Sequence, residues 1–254
     1  MKISILVPAY NEKRSIRTVI DRVFTLGIEN LEVIVVDDGS TDGTREVVEQ
    51  CLKNYPHLRL LVQPTNRGKT DAIARAIGEA TGDILMIQDA DLEYDPQEIP
   101  DVIQPILDNQ ADVVYGSRFM VKKAARVLYF YHYLANKGLT FLSNFLTNRN
   151  MSDIETCYKA FRKEVIQPMK LTSRGFGLEV EITAMICKTK ARTYEVPISY
   201  YGRTYDEGKK IGLRDGFEAL WFIFYYNLVH PFGSEGRRYI AEVNHLLAER
   251  RISM

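Results

Sequence analysis

Cysteine is scarce: Cys51, Cys157 and Cys187 stand far apart in 254 residues. Such spacing excludes an even-numbered disulfide framework and a paired-cysteine metal site, and it fits a reducing, cytosolic compartment. A dominant charge is lacking too. Lys plus Arg and Asp plus Glu each number 33, so the net charge is zero. There is no global electrostatic drive toward nucleic acid, and any anion must be held by local clusters. Long apolar runs are missing as well. None reaches the ~18 residues that a membrane-spanning helix needs, and the longest candidate, Ala219 to Tyr226, ends at Asn227. The chain enters a strand-like run at once, without a signal-peptide layout. It is expected to touch a membrane at most, not to cross one. No internal repeat, low-complexity tract or long linker interrupts it.

What is there is a globular composition, 46% hydrophobic and 26% charged, long enough for one large domain or two tightly packed lobes. Apolar runs at Ile3–Val7, Leu31–Val36, Leu58–Val62, Ile84–Ile87 and Asp112–Tyr115 read as strands alternating with helices. Asn11 is the expected N-cap of the first helix, with Ile16, Val19, Ile20 and Val23 facing inward, and Ser40 or Thr41 caps the second. That alternation predicts a doubly wound, mainly parallel α/β sheet. The strand Ile84–Ile87 is the centre of interest, because it runs straight into Asp89, Asp91 and Glu93. Extended-chain alternation points the three carboxylates the same way, out of the strand's carboxyl end, where open α/β sheets bind ligands. Three acids there repel unless a cation sits between them, and hard oxygen ligands suit Mg²⁺ or Mn²⁺ carrying phosphates. A solvated acidic loop is the plain alternative.

Two other phosphate chemistries fail on the sequence. Gly68-Lys69-Thr70 looks like the end of a P-loop, but that loop needs a glycine where Gln63 stands, and Pro64 stiffens it. No Gly-x-Gly-x-x-Gly follows any strand, which removes a dinucleotide-binding enzyme.

Pro8-Ala9-Tyr10-Asn11-Glu12, Val35-Val36-Asp37-Asp38-Gly39-Ser40 and Asp89-Ala90-Asp91, each at a strand end and in that order, resemble the family 2 glycosyltransferases of the GT-A fold. Gly116-Ser117-Arg118-Phe119, Cys157 to Arg162 and Val196-Pro197-Ile198, followed by Arg203 and Lys209, are similar to the branch that makes dolichyl- or polyprenyl-phosphate hexoses. The resemblance implies that Asp91, with Asp89, holds a divalent ion (Mg²⁺ or Mn²⁺) bridging the donor's diphosphate, with Glu93 as a third ligand where relatives often carry Gln. It implies that Asp38, beside Asp37, accepts a hydrogen bond from the donor's base, and that Pro8, Tyr10, Glu12 and Arg67 line the nucleotide pocket. Ser117, Arg118, Arg203 and Lys209 look like the family's grip on phosphate. Each has a plainer reading: Pro8 as a strand end, Glu12 as a first-turn helix acid, Tyr10 as rim packing, and the cations as surface charge.

The resemblance thus implies an inverting transfer of a hexose from a UDP- or GDP-linked sugar to a polyprenyl phosphate at the cytoplasmic face of the membrane. Transfer to a hydroxyl acceptor and a catalytically silent GT-A scaffold are the alternatives. A hydroxyl would need a general base, and His57, His132, His230 and His245 all lie outside the matched motifs, leaving an unassigned acid such as Glu179. Residues 1–211 are the expected catalytic domain, with 1–118 the nucleotide-sugar half and 119–211 the acceptor half, and 212–254 C-terminal helices packed beside it. Val127, Leu128, Tyr131, Leu134, Leu139, Leu142 and Leu146 form a helical stripe edged by Tyr129, Phe130 and Tyr133 and flanked by Lys122, Lys123 and Arg126. It reads either as a core helix or as one lying in the bilayer interface. A homo-oligomer or a membrane partner is also an open expectation.

Overall fold

Side chains along a buried strand alternate between two faces, so a central sheet must build two cores. Ile5, Val7, Val33, Val35, Ile84 and Met86 enter one apolar cluster, while Leu6, Ile34, Val36, Leu85 and Ile87 enter the other. The computed structural model describes residues 1–120, 126–127, 129–175, 177–202 and 213–252. Its elements are β1 (Ile3–Ala9), α1 (Ile16–Phe24), β2 (Leu31–Asp37), α2 (Thr44–Cys51), β3 (Leu58–Val62), α3 (Lys69–Glu79), β4 (Ile84–Ile87), α4 (Ile99–Leu107), β5 (Val113–Ser117), α5 (Phe130–Thr147), β6 (Lys159–Arg162), α6 (Lys163–Ile166), α7 (Gly177–Cys187), β7 (Thr193–Pro197), α8 (Leu213–Leu228) and α9 (Ser234–Ile252). Residues of α1, α2 and α4 fill the first cluster, and those of α3, α7, α8 and α9 fill the second.

The seven strands lie in the order β3-β2-β1-β4-β6-β5-β7. The first four are parallel, as expected. The fifth expected strand does not sit beside them. β6 intervenes, antiparallel to both β4 and β5, and β7 joins β5 in parallel. The sheet is therefore mixed, though parallel pairings remain the majority. From β1 the chain winds outward through β2 to β3, then crosses back to place β4 on β1's other side. A reversal of this kind opens a crevice at the strands' carboxyl ends, and the ends of β1, β2 and β4 carry Tyr10, Asp37, Asp38, Asp89 and Asp91 to it.

Local expectations failed at two caps. Asn11 does not cap α1; it adopts φ 56° and its Oδ1 accepts from the Thr41 N–H, while Ser15 occupies the cap position. Neither Ser40 nor Thr41 caps α2. Gly43 is at the cap, and Asp42 Oδ1 accepts from both the N–H and the hydroxyl of Thr44. Asn11, Ser40 and Thr41 instead bond one another across the two loops, the Asn11 N–H donating to Ser40 Oγ and the Thr41 N–H to Asn11 Oδ1, which no local pattern reveals.

The aromatic stripe divides between its two readings. Leu139, Leu142 and Leu146 on α5 pack against the core, whereas Tyr131 and Leu134 are 82% and 55% exposed and Val127 ahead of the helix is bare. Leu128, Lys122 and Lys123 lie outside the described residues. A second apolar row, Phe130, Leu134, Phe141 and Phe145, faces outward at helical spacing. Among the described residues no helix is long and apolar enough to cross a membrane. The two faces should respond differently to substitution. Leu142→Ala is expected to lower unfolding free energy by about 2 kcal/mol, and Phe141→Ser to change it by no more than about 0.5 kcal/mol. Urea titration checks this; equal losses would mean the outward row is packed after all.

Candidate active site

The site is assembled by carboxylates that reach between loops. Asp38 follows β2 and is 3% exposed. Its Oδ1 accepts from Gln63 Nε2 at 2.7 Å and from the Arg67 N–H at 2.8 Å, and its Oδ2 accepts from the Gly68 N–H at 2.7 Å. Both oxygens thus fasten the loop between β3 and α3 to the end of β2. Gly39 lets the two loops touch: at φ +71°, a Cβ there would lie 2.7 Å from the Thr65 carbonyl carbon. Asp37 is equally buried, and its Oδ1 has no hydrogen-bond partner among the described residues. The β1 end joins the same lattice through Asn11 N–H to Ser40 Oγ and Glu12 N–H to Thr44 Oγ1. Glu12 Oε2 accepts from the Ser15 hydroxyl at 2.7 Å. Pro8 sits at the partly exposed end of β1, and Tyr10, directly after the strand, is 45% exposed. The Arg67 guanidinium lies 3.3 Å from Asp71 on the surface of α3.

The acidic run after β4 is held by aromatic rings. Tyr158 donates to Gln88 Oε1 and stacks on Tyr94, which in turn packs against Tyr200. Asp91 Oδ1 accepts from the Glu93 N–H at 3.0 Å, a turn in which Leu92 takes φ 63°. Glu93 Oε2 accepts from the Tyr200 hydroxyl at 2.7 Å. The bond ties the third acid to the segment that follows β7. Among the described residues no three acids, histidines or cysteines converge as a metal cage. Asp89 and Asp91 remain as two hard-oxygen donors on one strand end. That number suits Mg²⁺ or Mn²⁺ when phosphates and waters complete the shell, so the donor set fits such an ion.

Cations border this loop on two sides. Lys69, first residue of α3, lies 2.9 Å from Asp89 Oδ1 and 3.4 Å from Glu179 Oε1. Burial alone would lower its pKa, but Asp89, Cys157 and Glu179 outweigh burial and hold the ammonium well above its usual value. Arg118, directly after β5, makes a two-pronged pair with Asp153, each contact 2.7 Å, and its guanidinium lies 5.2 Å from the Tyr200 ring centre. Lys137 from α5 stands 4.1 Å above the Phe119 ring and donates to the Ser152 carbonyl. Ser117 is turned inward: it is fully buried, sharing its hydroxyl with Ser152 and accepting from the Phe119 N–H. Arg203 and Lys209 lie outside the described residues. Lys69, Lys137, Tyr200 and Asp153 are the residues that sequence reading missed as site members. Lys69 carried a signal in its Gly-Lys-Thr triplet; the others carried none, their partners lying 15 to 107 positions away.

Behind Arg118 and Glu179 sits an unbalanced acid. Burial and the nearby Glu179 push the Glu155 carboxyl up to about 7, against Lys159 and Arg118, with Asp153 adding to the rise. Its Oε1 is buried without a partner among the described residues. A folded-state pKa raised above the ordinary 4.5 gives stability that is complete below ~4.5 and is lost as pH climbs through ~7. Glu155→Gln should therefore gain stability over wild type as pH rises from 4.5 to 8, by on the order of 3 kcal/mol. Melting curves across that range check it, and a pH-independent difference would contradict it.

The model of "Glycosyl transferase family 2" matches residues 4–169. A dolichol-phosphate mannosyltransferase of Pyrococcus furiosus is 31% identical over 88% of this chain, which spans 63% of that protein's length. A UDP-N-acetylglucosamine–dolichyl-phosphate N-acetylglucosaminyltransferase of Methanococcus voltae is 27% identical over 91% of this chain and 96% of its own. Among solved structures, the glucosyl-3-phosphoglycerate synthase of Mycobacterium tuberculosis, in complex with Mn²⁺, uridine diphosphate and phosphoglyceric acid, superposes with a TM-score of 0.67. It covers 90% of this chain and 79% of its own at 20% identity, a likeness of fold. The sheet and crevice described above are that GT-A fold.

Proposed function

Since the chain belongs to glycosyl transferase family 2, we propose that it moves a hexose from a nucleotide-diphosphate sugar to a polyprenyl phosphate, inverting the anomeric carbon. The observation that carries this reading is the pairing of opposite charges across one crevice: Asp89 and Asp91 at the end of β4, and Arg118 at the end of β5 with Lys137 close by. Relatives named for dolichyl-phosphate acceptors support the acceptor class.

On the donor side, Asp89 and Asp91 would hold the divalent ion, which supplies charge neutralisation for the departing diphosphate. Tyr10 offers its exposed ring as a platform beside the base. Asp38 is committed to the β3–α3 loop, so Asp37 is the carboxylate that retains an unpaired oxygen. A buried acceptor without a partner costs about 1–3 kcal/mol, and an N–H of the base can relieve that cost.

On the acceptor side, a phosphate monoester already carries about −1.5 to −2 charge. One of its oxygens attacks the anomeric carbon as the bond from that carbon to the diphosphate oxygen breaks, and the nucleotide diphosphate leaves with the electron pair. No general base is required. What the step needs is a cation that holds the phosphate in line. Asp153 grips Arg118 through Nε and Nη2, which fixes the guanidinium while no bond to Nη1 is made among the described residues. Arg203 and Lys209 are proposed to add to this grip. Transfer to a hydroxyl is disfavoured because its candidate base, Glu179, is paired with Lys69. The outward rows Phe130, Phe141 and Phe145 on α5 and Trp221, Phe224 and Leu228 on α8 would lie on the membrane that carries the lipid.

Two measurements test the reading. Arg118→Ala should cut kcat/KM for a short-chain polyprenyl phosphate by about 100-fold, Asp91→Ala should abolish turnover, and the free polyprenol should not be a substrate. Efficient glycosylation of the alcohol would sink the phosphate-acceptor reading. Changing Phe130, Phe141 and Phe145 together to Ser should reduce flotation with anionic liposomes while the melting temperature stays put; unchanged flotation would remove the membrane from this face.

A further inference from the structure

The proposed chemistry leaves one fixed cation without a task. Lys69 belongs to the triplet that fails as a P-loop, yet its ammonium reaches the acidic loop. It lies 2.9 Å from Asp89 Oδ1, 3.4 Å from Glu179 Oε1 and 2.9 Å from Cys157 Sγ, and the Cys157 thiol donates onward to Glu179 at 3.3 Å. Its backbone is equally well placed. The two N–H groups before it, those of Arg67 and Gly68, are the ones that Asp38 holds. The side chains are partly open to the crevice, Lys69 at 31% and Asp89 at 17%. An ion entering the site therefore meets an aspartate whose charge is already half spent on a neighbour within one contact distance. Like charges at that range repel, and the repulsion is strongest where water is partly excluded.

We propose that Lys69 is a built-in counter-ion that keeps Asp89 from binding a divalent cation in the empty enzyme, so that the ion enters together with the nucleotide diphosphate. This rests on the reading of Asp89 and Asp91 as the metal pair. The donor's own negative charges offset the Lys69 ammonium, and Asp89 then presents Oδ2 while Lys69 keeps Oδ1. Lys69 acts through Asp89, as a positioning residue rather than a catalytic one. The same bond fixes the rotation of the carboxylate, and only a cationic side chain can do both.

Titration of Mn²⁺ against the protein, followed by loss of the free-ion electron paramagnetic resonance signal, tests this without turnover. Wild type should bind Mn²⁺ weakly alone and tightly with uridine or guanosine diphosphate. Lys69→Met should bind Mn²⁺ alone about tenfold more tightly than wild type, and Lys69→Arg should stay within about twofold of it. Removing the ammonium leaves Asp89 and Glu179 unbalanced, which threatens folding. The pair Lys69→Met with Glu179→Gln restores the local charge count and should still bind Mn²⁺ alone several-fold more tightly than wild type. If neither variant binds nucleotide-free Mn²⁺ more tightly while wild type binds it with nucleotide, the role given to Lys69 is wrong and the metal pair stands. If wild type binds no Mn²⁺ even with either nucleotide, the metal reading fails and this inference falls with it.

Discussion

One buried carboxylate sets the geometry on which the rest depends. Asp38 gathers the Gln63 amide and the N–H groups of Arg67 and Gly68, and its own N–H returns to the Ala9 carbonyl. Three loops, from β1, β2 and β3, are thereby fixed at one point on the sheet edge. Hydrogen bonds to a charged acceptor contribute about 1.5–3 kcal/mol each, and leaving several donors unmet in a buried place costs comparably. The loop that Asp38 fastens begins α3 and so delivers Lys69 to Asp89. The position of the acidic pair therefore traces back, through a lysine, to an aspartate at the end of β2, two strands away in the sheet.

A second chain of contacts does the same work on the side proposed for the acceptor. Asp153 braces Arg118, Arg118 faces Tyr200, and Tyr200 donates to Glu93 in the acidic loop. Aromatic rings make up much of this chain because they fix a surface with few rotatable bonds while still offering a hydroxyl at the tip. Glu93 serves here as the anchor of Tyr200. The acids and cations stand on adjacent parts of one crevice with their side chains pre-oriented, which is how a site stabilises moving charge without reorganising during the reaction.

Much of this was legible in the sequence, and the reasons for the remainder are physical. Ile84–Ile87 running into Asp89 and Asp91 marks a buried parallel strand with two carboxylates beyond its end by pattern alone, and the first three strands follow equally well. The antiparallel β6 was not legible as a sheet insertion, since nothing local distinguishes Lys159–Arg162 from a parallel strand. The caps at Asn11 and Thr41 were misread because their real partners sit across a loop junction. Ser117 reads as a phosphate contact beside Arg118, but its fully buried hydroxyl completes the strand end. Pairings such as Lys69 with Glu179 exist only once α7 has packed beneath the crevice. The face of α5 is ambiguous because both of its sides are apolar, one for the core and one outward.

In the reaction proposed, a phosphate oxygen, and no hydroxyl, receives the sugar. That transfer is tested most directly by the product itself, formed from a nucleotide-diphosphate hexose and a short-chain polyprenyl phosphate and analysed by mass spectrometry and phosphorus NMR. The expected product is one phosphodiester linking the lipid to the anomeric carbon, inverted in configuration, with one nucleotide diphosphate released for each. Free hexose with unmodified lipid, or a sugar attached through any oxygen but that of the phosphate, would contradict it.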